Sequence, residues 1–415
     1  MSTTKGWEKV KAAEAAKGIN PIFDLVTSKP QGLLGEKSSK KLIDLSLGDP
    51  TLYGNFDLSP KVTEAVNQAL ESKKCNGYLP AAGKMEARKA VADRYSGGYC
   101  KLDYTDVFLT SGGCGAIDLA ISVLANRGDN VLIPRPGFTM YKTAAMVRGV
   151  EHKMYNLLAD RKWEVDLEQL ESLIDSRTRA VLINNPSNPC GSNFSKEHLL
   201  DILALCEKYH IPVITDEIYH GMVFTGEVFY PLSTISESVP VLTVGGLAKQ
   251  YLVPGWRVGW VTLHDPLKVF SPIKKGLSSL SDMLITVTSF IQKAIPAILD
   301  PSNVTEEFHA DVRSRLEQHA TICEQRLNSI PGLKAATKPQ GSMYVMGLVD
   351  YSKFRPEVAD YFSFFHALKH EENVSILPGD LFDFPDSFRF VITPPPELLN
   401  EAFDRIHAFC TRHLL

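Results

Sequence analysis

The chain has 415 residues, which is enough for about two or three domains. Its 44% hydrophobic and 22% charged residues are typical of a globular protein. Lys and Arg (44) nearly balance Asp and Glu (48), leaving a net charge of −4 and no basic stripe, which argues against a nucleic acid or an anionic membrane as partner.

The first half of the chain predicts an α/β fold. Residues 1–19 are expected to form a helical arm, and residues 28–41 an exposed loop. From about residue 106, apolar strands alternate with helices, which predicts a mostly parallel sheet covered on both faces. The predicted strands are 107–113, 131–136, 180–186, 212–219, 240–246 and 257–263, and the helices among them are 116–125, 140–148 and 195–209.

The last part of the chain has a different pattern and predicts a smaller α/β domain. Helices are expected at 303–328, 358–372 and 396–413, with strands near 343–349, 374–377 and 388–393. The predicted domains are an N-terminal arm and part of the small domain (1–57), a large domain (58–299) and a small C-terminal domain (300–415).

The cysteines and the N-terminus bear on the cellular compartment. Seven cysteines are scattered along the chain without a C-x-x-C pair, which indicates reduced thiols rather than disulfides or a zinc site. The N-terminus has no apolar signal region and no early Arg, and no apolar run approaches the roughly 18 residues of a membrane span. We therefore expect a cytoplasmic protein without a membrane partner.

Several polar residues directly follow the predicted strands, where ligands gather in such sheets. Lys249 could form an imine and Arg257 could hold a phosphate. The Asp216 carboxylate could keep a pyridine ring protonated. Asn188 lies in a Pro-rich turn, and Gly113 lies in a glycine run whose N–H groups suit a phosphate. Taken singly, each has a structural explanation as a surface charge, a helix cap or a turn.

Together these motifs indicate a family. The segment Gly246–Gly259 resembles the pyridoxal-phosphate (PLP) attachment signature of class-I aminotransferases, in particular the group that acts on tyrosine. The resemblance covers the chain from about Asn20 onward, and five further segments occur in that family's order. They are Asn76–Tyr78, Pro134–Phe138, Asn185–Gly191, Asp216–Tyr219 and Arg389–Thr393. The resemblance implies an aspartate-aminotransferase-like fold and PLP as cofactor.

The resemblance also implies roles for individual residues. Lys249 would hold PLP as a Schiff base and move the proton, and Asp216 would pair with the ring nitrogen. Tyr219 and Asn188 would bind the ring oxygen of the cofactor, Phe138 would stack on its ring face, and Gly113, Cys114 and Arg257 would hold its phosphate. Tyr78 would contact the phosphate of the neighbouring subunit in a homodimer. The substrate carboxylate would be bound by Arg389, Asn188 and Gly48.

The expected reaction is ping-pong transamination of an aromatic L-amino acid, tyrosine being favoured, with 2-oxoglutarate or pyruvate as acceptor. Three positions depart from the pattern: Phe23 and Gln250 stand where relatives often have Arg, and Gly113 lacks a hydroxyl that some relatives have. Phe23 raises the hypothesis that the enzyme binds the second carboxylate of 2-oxoglutarate poorly, which would favour pyruvate as acceptor.

The alternatives are an alanine or broad-specificity aminotransferase and a carbon–sulfur β-lyase. A non-catalytic PLP-binding regulator is disfavoured, because such proteins usually carry a DNA-binding module for which neither end has the length or charge.

Overall fold

The computed structural model describes residues 13–16, 25, 37–283 and 287–415. The strands among them are β1 (Ile43–Asp44), β2 (Val107–Ser111), β3 (Asn130–Arg135), β4 (Glu151–Leu158), β5 (Glu164–Val165), β6 (Thr178–Asn184), β7 (Val213–Asp216), β8 (Val241–Gly246), β9 (Val258–His264), β10 (Leu333–Ala335), β11 (Tyr344–Val349), β12 (Val374–Ser375), β13 (Leu377–Pro378) and β14 (Ser387–Val391). The α-helices are α1 (Pro60–Glu71), α2 (Met85–Tyr95), α3 (Gly112–Leu124), α4 (Met140–Arg148), α5 (Leu167–Leu173), α6 (Lys196–Lys208), α7 (Leu232–Ile235), α8 (Ser271–Asp282), α9 (Ser289–Leu299), α10 (Glu306–Ser329), α11 (Tyr361–Glu372) and α12 (Pro396–His413).

Eight strands form one sheet in the order β2-β9-β8-β7-β6-β3-β4-β5. The pairs β8–β7, β7–β6, β6–β3 and β3–β4 are parallel, whereas β9 is antiparallel to both of its neighbours and β5 to β4. The predicted mostly parallel sheet is therefore confirmed. Since β2, β6, β7 and β8 all run in one direction, their carboxyl ends meet at the same edge.

Both faces of this sheet are buried, because successive side chains of a strand point to opposite faces. Phe108 and Leu182 pack on one face with residues of α3, α4 and α8. Leu109 and Trp260 pack on the other face with residues of α1, α2 and α9, and Val181 packs there with α6. This two-sided burial explains why the strands are almost continuously apolar.

A second, antiparallel sheet of order β10-β11-β14-β13 packs with α10, α11 and α12 around its own core. The pairing of β1 with β12 is parallel, with Ile43 opposite Val374, and joins an early segment to this region. On this basis we propose the predicted division: the described part of residues 1–57 with 300–415, and a large domain at 58–299.

Local sequence signals account for several element boundaries. The Ser195 side chain accepts from the His198 N–H at 3.1 Å and begins α6, and Asp360 caps α11 in the same way. The predicted strand 107–113 ends earlier, at Ser111, because Gly112 has a φ of +69° and turns the chain directly into α3.

The N-terminal predictions fall mostly outside the described residues. Of the expected arm at 1–19, only residues 13–16 are described, with a short 3₁₀ turn at Glu14–Ala16. Of the loop at 28–41, residues 37–41 are described and contain no helix or strand, and Phe23 lies outside the described residues. Within the described ranges, no helix combines the length and apolarity that crossing a membrane requires.

Candidate active site

The edge where the parallel strands end borders a cavity of about 280 Å³. All the predicted site residues line it except Tyr78: Gly48, Gly113, Cys114, Phe138, Asn188, Asp216, Tyr219, Lys249, Arg257 and Arg389. Three other cavities among the described residues are larger, at about 560, 640 and 780 Å³, but none of them contains any of these residues. The chemistry of the lining, rather than size, singles out this cavity.

Asp216 is the last residue of β7 and is fully buried. Its carboxylate accepts from the Tyr141 hydroxyl at 2.7 Å and from the Ile218 N–H at 3.1 Å. Burial raises the pKa of Asp216 to about 6, although these two hydrogen bonds oppose the shift. Among the described residues no cation forms an ion pair with Asp216, so the site is suited to a bound group that carries a positive charge.

Lys249 follows β8 and is partly buried beside this carboxylate in the same cavity. Its Nζ donates a short hydrogen bond to the backbone oxygen of Gly48. No ion pair holds this amine among the residues that the structure describes, so it is available to react with a carbonyl group in the cavity.

The first turn of α3 and Arg257 form a cluster of hydrogen-bond donors. Gly112 donates its N–H to the Arg257 backbone oxygen at 3.0 Å, and the Arg257 guanidinium donates to Ser111 O at 3.2 Å. A Cβ on Gly112 would lie 2.5 Å from the guanidinium and would displace it, and the φ of +69° also favours glycine here. The N–H groups of Gly113 and Cys114 in this first turn have no partner within the helix, as suits an anion.

Arg389 lies on β14 and is 5% exposed. It donates to Asn188 Oδ1 at 3.0 Å and to Ser46 O at 2.5 Å, while its Nε has no partner among the described residues. Burial lowers the pKa of this guanidinium, but an arginine stays charged. A buried cation with a spare donor is suited to a carboxylate ligand.

Three further predicted residues differ in exposure. Phe138 borders the cavity, with its ring centroid 5.7 Å from that of Tyr141. Cys114 is partly buried, and burial raises the pKa of its thiol, so it is not an activated nucleophile. Tyr78 lies outside the cavity and is 96% exposed, which is unusual for a tyrosine.

Comparison with known proteins identifies the family. Residues 40–406 match the family described as aminotransferase class I and II. The chain belongs to this family. The enzyme is 43% identical to tyrosine aminotransferase from Mus musculus over 408 residues, which cover 98% of this chain and 88% of that protein.

Solved structures agree with this assignment. The fold is similar to tyrosine aminotransferase from Leishmania infantum, with a TM-score of 0.90, 35% identity and coverage of 98% of this chain and 99% of that one. It is also similar to alanine aminotransferase from Pyrococcus furiosus, with a TM-score of 0.87, 27% identity and coverage of 97% and 100%. The predicted family, fold class and enzyme class are confirmed.

Aminotransferases of this class use PLP, so the predicted cofactor is confirmed. The residues present fit this group on two observations. Within the described ranges the buried Asp216 carboxylate pairs with no cation, which a protonated ring nitrogen would supply. A Cβ at residue 112 would fill the cradle between Gly112 and the Arg257 guanidinium, where the phosphate would lie.

Sequence reasoning missed some residues of the cavity. Tyr141 lies in the first turn of α4, three residues after Phe138, and donates to Asp216; its closeness to Phe138 in the sequence was the available signal. Asn184 accepts from the Asn188 N–H at 2.7 Å and donates to Asp216 O at 2.9 Å, so it fixes the turn after β6. Tyr344 comes from the small sheet, and no local motif marks it.

Proposed function

We propose that this enzyme transfers the amino group of an aromatic L-amino acid, with tyrosine favoured, to 2-oxoglutarate or pyruvate in two half-reactions. One observation carries the proposal: the Lys249 amine, the buried Asp216 carboxylate and the Arg389 guanidinium line one cavity. In the part of the chain that the structure describes, Asp216 pairs with no cation and the Arg389 Nε has no acceptor. The choice of tyrosine is supported by relatives named tyrosine aminotransferase at 43% and 35% identity.

Bound PLP would supply an electron-accepting ring for the electron pair left when the substrate's α-proton is removed. In this proposal the Nζ of Lys249 anchors the cofactor, and after the substrate replaces it, the free amine moves the α-proton. Asp216 would hold a proton on the ring nitrogen by charge pairing. Its hydrogen bonds from Tyr141 and Ile218 would keep its carboxylate oriented and ionised.

The remaining residues would fix the cofactor's position. We assign its phosphate to the N–H groups of Gly113 and Cys114 with the Arg257 guanidinium, and its ring face to Phe138. Tyr219 and Asn188 would bind the ring oxygen, and burial raises the pKa of Tyr219 well above its usual value, which keeps the phenol a donor.

The substrate would be held by its α-carboxylate. Arg389 is the cation for it, with the backbone of Gly48 and the amide of Asn188 beside it. We propose that the enzyme acts in the cytoplasm as a homodimer in which Tyr78 reaches the phosphate of the neighbouring subunit. The high exposure of Tyr78 in the single chain supports this arrangement.

The test is a comparison of amino donors and acceptors with purified enzyme and added PLP. We expect the highest kcat/KM for tyrosine among tyrosine, phenylalanine and alanine, and no ammonia from a cysteine conjugate. Lys249→Ala should abolish turnover. Faster transfer from alanine would replace the substrate assignment with a broad-specificity aminotransferase, and ammonia release would indicate β-elimination.

A further inference from the structure

Tyr344 begins β11 of the small sheet, yet its side chain reaches the cavity at the edge of the large sheet. It is 2% exposed, so its hydroxyl must find partners inside the protein. None of the roles assigned above uses it. Its contacts involve three residues that those roles do use, namely Tyr219, Gly48 and Arg389.

The hydroxyl of Tyr344 lies 2.7 Å from the hydroxyl of Tyr219, and the two rings meet edge to face with centroids 5.6 Å apart. One hydroxyl must donate to the other at this distance. If Tyr219 donates its proton to the ring oxygen of the cofactor, its own oxygen is free to accept, and Tyr344 is then the donor. A phenol that accepts a hydrogen bond becomes a stronger donor itself.

The same hydroxyl also lies against the backbone of Gly48. A Cβ at Gly48 would lie only 2.4 Å from the Tyr344 hydroxyl oxygen, so the absence of a side chain makes room for that oxygen. The Gly48 backbone oxygen accepts from Lys249, so Tyr344 packs against the segment that contacts the reactive amine.

The ring of Tyr344 has a separate contact with Arg389. The guanidinium carbon lies 4.5 Å from the centroid of the Tyr344 ring and 5.0 Å from that of Phe382. A guanidinium held against aromatic rings in a buried site is restricted in its orientation. The ring can therefore set the direction of the Nε donor that lacks a partner.

We propose that Tyr344 is a positioning residue with two separable roles: its hydroxyl strengthens Tyr219 as a donor to the cofactor, and its ring orients Arg389 toward the substrate carboxylate. This inference rests on the proposed function, because it assumes that Tyr219 and Arg389 bind those groups. Through these contacts Tyr344 links Arg389, on the small sheet, to Tyr219, which follows β7 of the large sheet.

Two substitutions separate the roles in the PLP-loaded enzyme. Tyr344→Phe removes only the hydroxyl, and Tyr344→Leu also removes the ring. The first readout is the pH midpoint at which the visible band of the lysine-bound cofactor changes, measured without substrate. Tyr344→Phe should raise this midpoint by about 0.3–0.5 pH unit, because a weaker Tyr219 donor leaves the ring oxygen more basic.

The second readout is the KM for tyrosine. We expect Tyr344→Phe to stay within about twofold of the wild type and Tyr344→Leu to raise KM about fivefold or more, because only the latter loses the ring beside Arg389. Tyr155→Phe is the matched control: its hydroxyl is equally buried, donates to Leu182 O at 2.7 Å and lies outside the cavity. It should change neither readout.

An unchanged midpoint in Tyr344→Phe would overturn the role of the hydroxyl. Equal KM values for Tyr344→Phe and Tyr344→Leu would overturn the role of the ring. A wild-type enzyme that shows no cofactor band or no transamination would instead overturn the proposed function, so the two failures are distinguishable.

Discussion

The buried carboxylate of Asp216 should lower the folding stability of the cofactor-free enzyme at neutral and alkaline pH. Burial raises the pKa of Asp216 from 3.8 to about 6, and no cation among the described residues compensates its charge. Asp216→Asn removes that charge while keeping the shape of the side chain. We therefore expect the variant to gain stability relative to the wild type as the pH rises.

The size of this destabilisation follows from how far the pKa of Asp216 is raised. Each pKa unit is worth about 1.4 kcal/mol, so the ionised carboxylate costs about 3 kcal/mol at pH 8. Because the folded pKa is the higher one, the cost begins near pH 4, where the unfolded chain ionises, and reaches its full value above about pH 6. Between pH 5 and pH 8 the cost should increase by about 1.5 kcal/mol.

The assay is urea unfolding of the cofactor-free wild type and variant at pH 5 and pH 8, at one protein concentration. The asparagine cannot accept from both Tyr141 and Ile218, but that loss is the same at both pH values. The unfolding free energy of the variant minus that of the wild type should therefore be about 1.5 kcal/mol larger at pH 8 than at pH 5. Asp160→Asn, at an exposed position outside the cavity, is the control. A difference that does not change with pH would refute the reasoning.

Three further substitutions test other parts of the site. Arg389→Lys should raise the KM for tyrosine about tenfold or more, because a lysine cannot keep the contacts to Asn188 and Ser46 while also binding a carboxylate in bidentate fashion; an unchanged KM would contradict this. Tyr78→Phe should weaken PLP binding about tenfold, measured by titrating the cofactor-free enzyme with PLP, and unchanged affinity would argue against its proposed contact with the phosphate. Phe23→Arg should lower the KM for 2-oxoglutarate relative to that for pyruvate, and an unchanged ratio would end the hypothesis that this position reads the second carboxylate.

The sequence was sufficient for the parts of the site that follow strands. Asp216 is the last residue of β7, and Asn188, Gly113 and Lys249 follow β6, β2 and β8 within four residues. Those four strands run in one direction. Parallel strands place such residues at one edge without any knowledge of side-chain packing. The same patterns predicted the central strands and α12, which begins at Pro396 as expected.

The parts that were missed depend on packing between distant segments. Tyr344 reaches the cavity only because the small sheet packs against the large one, and nothing near it in sequence marks that contact. Strand β4, which lies next to the edge strand β5, alternates only weakly between buried and exposed residues, so it lacks the apolar run that identified the central strands. Helix α9 contains Pro296, which argues against a helix when read from sequence alone.

The role of Lys249 is tested most directly by the visible absorption spectrum of the purified enzyme with PLP, recorded before and after L-tyrosine is added without any oxo acid. We expect a visible band from cofactor bound to Lys249, which tyrosine bleaches and which added 2-oxoglutarate or pyruvate restores. We also expect Lys249→Ala to lack the lysine-bound band. If the wild type shows no band after incubation with PLP, or if Lys249→Ala shows the same band and the same cycle, the assignment of Lys249 and its cavity as the active site is wrong.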